Sequence, residues 1–307
     1  MIGKIDWSER RVFVVGGGIS GLSAAWRLAE LGFEVELHER AERWGGLIQT
    51  FSTQHGIVES ALHSWLETAQ IGRMLDTLGV ERVSVRRASR VRFVFRDGAM
   101  RRVPLYLGEL LGLVLRLLSA PGRSVSKPPE QQTLEDWGMR FLGPSGVKYL
   151  LNPMVRGIYA ARPSELGLFI FAKSKREGRR RMVATKGGSQ DLVNALVDKL
   201  TAHRNVKLHL GSQVNQLPLS TNVLLAGSSA SSAALLEQRS PEGARLLHQI
   251  QYLPLITVTV FVEEPTRGKR GVGVLFPECE TGKTLGVLFS SDSFSGRVKD
   301  ERRVSSF

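Results

Sequence analysis

Six residues near the N-terminus, Gly16-Gly17-Gly18-Ile19-Ser20-Gly21, and a carboxylate further on, Glu39, have the types and spacing that hold a dinucleotide. Gly16 allows a tight turn, Gly18 lets a pyrophosphate approach the backbone, and Gly21 lets a helix pack closely on a strand. Ser20 belongs to the first turn of that helix, where unpaired N–H groups and a partial positive charge face the phosphates. The Glu39 carboxylate accepts hydrogen bonds from ribose hydroxyls and would repel a 2′-phosphate, which disfavours NADP. An ordinary glycine turn could use the same residues, so the motif depends on its surroundings.

Those surroundings agree with it. VFVVG (12–16) is a short buried strand, Ser20 to Gly32 a helix, and Glu34 to Glu39 a second strand ending in the acid. Residues 91–104 form a hairpin turning at Asp97–Gly98. Leu105 to Leu118 is leucine-rich but interrupted by Gly108, Glu109, Gly112 and Arg116. After a loop and further helical segments the α/β pattern resumes, with a helix near Ser189–His203 and strands at 206–210 and 223–227. From Ile256 the chain is strand-rich.

With 307 residues there is room for two domains, and 42% hydrophobic against 23% charged residues excludes a disordered or fibrous chain. No apolar stretch of spanning length occurs, and the N-terminus has no signal-peptide core, which predicts a cytoplasmic location. The single cysteine, Cys279, excludes an intrachain disulfide and a multi-cysteine metal site, and no metal ligands are assigned. The net charge of +13 (42 Lys+Arg against 29 Asp+Glu) predicts an anionic partner.

The stretch Glu39-Arg40-Ala41-Glu42-Arg43-Trp44-Gly45-Gly46 resembles the acid-then-Arg-x-Gly-Gly pattern of FAD-dependent amine oxidases and their relatives. The resemblance implies FAD, with Arg40, Arg43, Gly45 and Gly46 beside it. Two more segments are similar. In His55-Gly56-Ile57-Val58-Glu59-Ser60-Ala61, Glu59 matches a flavin-side loop, whereas Ala61 and Leu62 depart from its usual Gly-Pro. Lys186-Gly187-Gly188 followed by Leu192 resembles a second FAD block, after which Val214 stands where the superfamily's backbone meets adenine. From the pattern alone, a plain strand end is the favoured reading of Gln213–Val214.

Asn152 to Leu166 (NPMVRGIYAARPSEL) resembles a protoporphyrinogen oxidase segment, a string that monoamine oxidases and carotenoid desaturases lack. That resemblance implies FAD-dependent oxidation of protoporphyrinogen IX to protoporphyrin IX in tetrapyrrole synthesis, with O₂ as acceptor and no nucleophile–base pair. A flavin amine oxidase or a carotenoid-type desaturase is the alternative. Arg156 either holds a substrate propionate or braces a loop; Tyr159 is expected to pack, and His63 to be a surface or packing histidine.

The implied fold is α/β. A Rossmann-like FAD-binding domain (1–90 and 182–245) carries an inserted helical domain (105–181) and a mixed-sheet substrate domain (91–104 and 246–307). The family's membrane attachment implies that the Leu105–Leu118 helix and the basic run Lys173–Lys186 contact an anionic membrane peripherally; the same helix could instead be core. No nucleic-acid reader fold is visible. The superfamily's Gly-rich C-terminal flavin motif is not found before Phe307, so the resemblance implies a C-terminally truncated chain, either an oxidase missing that piece or a non-catalytic remnant.

Overall fold

The computed structural model describes residues 9–86, 89, 91–119, 132–169, 181–219, 221–263, 270–299 and 302–307. In chain order, β1 (Arg11–Val15), α1 (Ile19–Glu30), β2 (Glu34–His38), β3 (Thr50–Ser52), β4 (Ile57–Glu59), β5 (Trp65–Glu67), α2 (Ala69–Leu78) and β6 (Arg82–Ser84) come first. Next are β7 (Arg92–Arg96), β8 (Ala99–Arg101), α3 (Leu107–Ser119), α4 (Leu134–Phe141), α5 (Gly143–Gly146), a π-helical turn over Val147–Leu151, and α6 (Asn152–Tyr159). Then follow β9 (Arg181–Thr185), α7 (Gln190–Thr201), β10 (Val206–His209), β11 (Asn222–Leu225), α8 (Ser229–Leu236) and α9 (Pro241–His248). The last strands are β12 (Thr259–Val262), β13 (Gly273–Leu275), β14 (Gly286–Leu288) and β15 (Arg303–Ser306).

The chain divides into two compact units. The first comprises Met1–Thr53, Ile57–Val83 and Val183–Leu255. Its centre is a parallel sheet in the order β10-β2-β1-β11, built as the glycine motif requires. Strand β1 pairs with β2 across the α1 crossover and, on its other edge, with β11. The order reverses between β1 and β11, the switch point where ligands of open α/β sheets bind.

Alternation decides which face of this sheet becomes core. Val12, Val14, Val35 and Leu37 point to one side and are buried against Leu22, Ala25 and Ala29 of α1 and Leu192, Val193, Leu196 and Leu200 of α7. Leu75 and Leu78 of α2 join them. The opposite residues of β1 and β2, including Phe13, Glu36 and His38, stay outside this core. Helix α2 begins at Thr68, whose hydroxyl accepts the Ile71 N–H, and ends at Gly79 in the left-handed region (φ 67°).

The second unit comprises Gln54–Gly56, Ser84–Met182 and Ile256–Phe307. It holds a mixed sheet, β12-β15-β14-β13-β7-β8, together with the helical stretch from α3 to α6. The helical insertion and the C-terminal strands therefore share one unit. The hairpin β7–β8 turns at Asp97 (φ 52°) and Gly98 (φ 72°), both in the left-handed region that a two-residue hairpin turn demands. Helix α4 starts with a reciprocal capping box between Thr133 and Asp136. A small core of Leu134, Val147, Leu151, Val155 and Leu168 holds the helices together.

The expected apolar helix forms as α3, but it is not a core helix. None of its residues is buried. Leu107, Leu111, Val114, Leu115 and Leu118, spaced at helical intervals, are all exposed, Leu107 by 84%. Glu109, which reads in the sequence as an interruption, is its anchor. Arg96 of β7 binds the Glu109 carboxylate with both Nη atoms, at 2.6 and 3.1 Å, and also donates to the Pro104 carbonyl. The guanidinium lies between the rings of Tyr106 and Tyr149, 4.1 and 3.7 Å from their centroids. This hydrogen-bonded partner lowers the Glu109 pKa to about 2. Residues 173–180 of the basic run Lys173–Lys186 lie outside the described residues; of its basic side chains Arg181 and Lys186 are described, and Lys186 pairs with Glu81.

Candidate functional site

At the C-terminal end of β1 the backbone turns sharply at Gly16 (φ 107°), whose N–H donates to the His38 carbonyl at 2.8 Å. A β-carbon on Gly16 would lie 2.8 Å from the Ala226 carbonyl carbon. One on Gly21 would lie 1.8 Å from the Gly16 oxygen. Both glycines are thus required by packing at the mouth of the sheet. Gly18 differs: a β-carbon there meets only the Gly46 Cα, at 3.9 Å.

Helix α1 opens at Gly18 with no side chain capping it and no acidic residue in its first turn. Its first amides therefore keep their positive end for an external anion. Ser20, in this turn, is exposed.

Glu39 stands directly after β2 and is fastened to the glycine loop. Its Oε2 accepts the Gly17 N–H at 2.6 Å and its Oε1 accepts the Ala41 N–H at 2.8 Å. A carboxylate has about four acceptor positions, so capacity for hydroxyl donors remains. Gly17, an unassigned position in the motif, is tightly constrained: a β-carbon would fall 2.4 Å from the Trp44 ring and 2.8 Å from Glu39 Cβ. The run of three glycines was the available signal for it.

The second glycine pair packs on the first. Gly45 donates its N–H to the Gly17 carbonyl at 2.8 Å, and Gly18 and Gly45 form a parallel bridge. Gly45 (φ 105°) and Gly46 (φ 60°) hold left-handed backbone, and a β-carbon on Gly46 would sit 3.1 Å from the Gly18 Cα. Arg43 is exposed and braces this turn by donating to the carbonyls of Gly46 (2.7 Å) and Ile48 (3.3 Å). Arg40 is exposed beside it.

Other candidates have internal partners. Glu59 is buried (5% exposed), with Oε1 accepting the Ser189 N–H at 2.8 Å and Oε2 the Thr50 hydroxyl at 2.7 Å. Thr50 Oγ1 also accepts the Gln190 N–H at 3.0 Å. Glu59 therefore latches the β3–β4 hairpin to the start of α7. Val214 is half-buried in the irregular stretch after β10.

Arg156 is 7% exposed on α6 and donates to the carbonyls of Phe276 (3.3 Å) and Gly282 (2.9 Å). The guanidinium, buried on two carbonyls, braces the β13–β14 connection. Tyr159 corrects an expectation, for it is 40% exposed rather than core. His63 is half-buried.

The glycine cradle, the uncapped helix start and the terminal acid fit the pyrophosphate and ribose of a dinucleotide. Comparison with known proteins agrees. The flavin containing amine oxidoreductase model matches residues 19–306. The chain belongs to that family. Its fold is the α/β fold of FAD-dependent oxidoreductases, its cofactor is FAD, and it is an FAD-dependent oxidoreductase.

Among relatives of this flavin amine oxidoreductase, protoporphyrinogen oxidase 2 (chloroplastic/mitochondrial) of Arabidopsis thaliana is 26% identical over 372 residues, spanning 94% of this chain and 73% of the relative. Coproporphyrinogen III oxidase of Propionibacterium freudenreichii subsp. freudenreichii is also 26% identical, over 382 residues covering 96% of this chain and 71% of its own. The crystal structure of an oxidoreductase from Methanosarcina mazei superposes with a TM-score of 0.73 at 18% identity, over 96% of this chain and 78% of that one.

Proposed function

We propose that this flavin amine oxidoreductase oxidises a porphyrinogen, protoporphyrinogen IX, to protoporphyrin IX. The observation that carries the reading is similarity along almost the whole chain to proteins named for porphyrinogen oxidation. Gly16, Gly18, Ser20 and Gly21 would hold the pyrophosphate of FAD, Glu39 its ribose, and Gly45–Gly46 would line the cradle. Bound FAD supplies the two-electron acceptor. The substrate loses six electrons and six protons in three two-electron steps, and three O₂ take them up as three H₂O₂.

The test is a visible spectrum followed by anaerobic titration. The purified chain should show a near-stoichiometric flavin band, and protoporphyrinogen IX should bleach it. A relative named coproporphyrinogen III oxidase makes coproporphyrinogen III the comparator. Preferential bleaching by coproporphyrinogen III would move the substrate to that tetrapyrrole. Bleaching by neither would reject the reaction class, and a colourless protein would favour the remnant.

The same reading places the protein peripherally on the cytoplasmic membrane surface. Support comes from α3, a 13-residue helix about 20 Å long, too short to cross a bilayer but lined with exposed leucines. Among the described residues no helix is long and apolar enough to cross a membrane. In flotation with phosphatidylglycerol vesicles, the wild type should rise with the lipid. The Leu111→Glu/Leu115→Glu variant should stay behind; equal behaviour of the two would refute α3 as the contact.

A further inference from the structure

The outer face of the parallel sheet, opposite the α1–α7 core, carries a cluster that the flavin reading does not use. Strand β2 places Glu36 and His38 on this face, two residues apart. Strand β10 lies beside it in parallel register, with Lys207 opposite Glu36 and His209 opposite His38. One ligand atom from each of Glu36, His38 and His209 lies within 4.8 Å of the other two. Two same-strand residues at i and i+2 plus a directly opposed neighbour converge on one point above a sheet.

The state of His38 is unusual. Its ring is stacked between Phe13 (centroids 4.4 Å apart) and His209 (4.3 Å, 11° between planes). Nδ1 is 2.9 Å from Ser212 Oγ. Nε2 is shielded from solvent and has no hydrogen-bond partner. A buried ring nitrogen without a partner is costly. If Nδ1–H donates to Ser212, Nε2 is left as a bare lone pair, and an outer partner on the second ring nitrogen is what fixes a metal-binding histidine in place.

We propose that Glu36, His38 and His209 form a binding site for one divalent transition-metal ion of the Zn²⁺ type, tying β2 to β10 on the outer face of the sheet. Two imidazoles and a carboxylate suit Zn²⁺ and leave a fourth position for water. Parallel stacked rings do not share a point in their planes, so His209 must turn out of the stack to bind. It can do so because β10 is the edge strand. Glu36 must also leave Lys207, whose Nζ is 3.5 Å away, an exposed pair of small value.

The experiment is calorimetric titration of the chelator-stripped holoprotein with ZnCl₂ alone. One equivalent should bind with a Kd of about micromolar or tighter, and MgCl₂ should not bind. His209→Ala and His38→Ala should each weaken binding at least about tenfold, and Glu36→Gln should weaken it several-fold. His203→Ala and His248→Ala should leave it unchanged.

At zinc about 100 times Kd, the wild-type melting temperature should rise by about 5 °C, and that of His209→Ala should not move. If His38→Ala does not fold, the edge-strand variant decides. The proposal is overturned if the wild type takes up no stoichiometric zinc, or if His209→Ala binds zinc as tightly as wild type.

Discussion

Gly21→Ala should yield a colourless, destabilised protein. The added methyl would sit 1.8 Å from the Gly16 oxygen, far inside contact distance. Gly16 cannot retreat, because it is tied to the His38 carbonyl and pressed against Ala226. The start of α1 must then separate from β1, the place where the helix and strand meet most closely. Overpacking of this kind costs about 3 kcal/mol. Gly18→Ala is the informative partner. Gly18 has ordinary extended backbone (φ −70°, ψ 177°) and open space at the β-carbon. Its stability should stay within about 0.5 kcal/mol of wild type, while FAD affinity falls about tenfold or more. Urea unfolding and flavin release measured on both variants separate packing from cofactor contact. Equal flavin content in Gly18→Ala and wild type would show that the pyrophosphate does not lie there.

Glu109→Ala should strongly destabilise the second unit. It leaves the Arg96 guanidinium, whose side chain is 7% exposed, between two tyrosine rings with the Pro104 carbonyl and the half-exposed Asp97 carboxylate, 3.4 Å from Nε, as its remaining partners. Loss of one partner of a buried ion pair costs about 3 kcal/mol. The Arg96→Met/Glu109→Leu double variant removes both charges and should recover part of that loss. The pH dependence has a fixed sign. Glu109 titrates at about 2 when folded against an ordinary 4.5, so its stabilisation is complete above pH 4.5. It disappears as pH falls through about 2. The stability difference between wild type and Glu109→Gln should therefore shrink across that window. A constant difference from pH 7 to pH 2 would refute the pairing.

What could be seen in the sequence was local. The strand, three glycines, helix and Glu39 lie within 30 residues, and each has one conformational job. Asp97–Gly98 announced its hairpin for the same reason. What could not be seen depends on distant segments meeting. Glu59 looked like a flavin-side acid, yet its partners Thr50 and Ser189 belong to β3 and to the residue before α7. Arg156 sat in a family-like string, but the carbonyls it holds are some 120 residues later. Glu109 broke a leucine pattern because its role is set by Arg96 on a different strand. The pair His38 and His209 exists only once β10 lies against β2.

The placement of β11 has a consequence for synthesis. Strand β1 is made first but has two flanks, and the second is covered only by β11, about 180 residues after β2. At translation rates of about 5–20 residues per second, that flank waits on the order of 10–40 s. During this interval the nascent chain exposes an unpaired, valine-rich strand edge, a template for pairing with the wrong chain. Helix α1 and β2 can shield one side early. Slowing translation between β2 and Asn222 should therefore lower the yield of native protein.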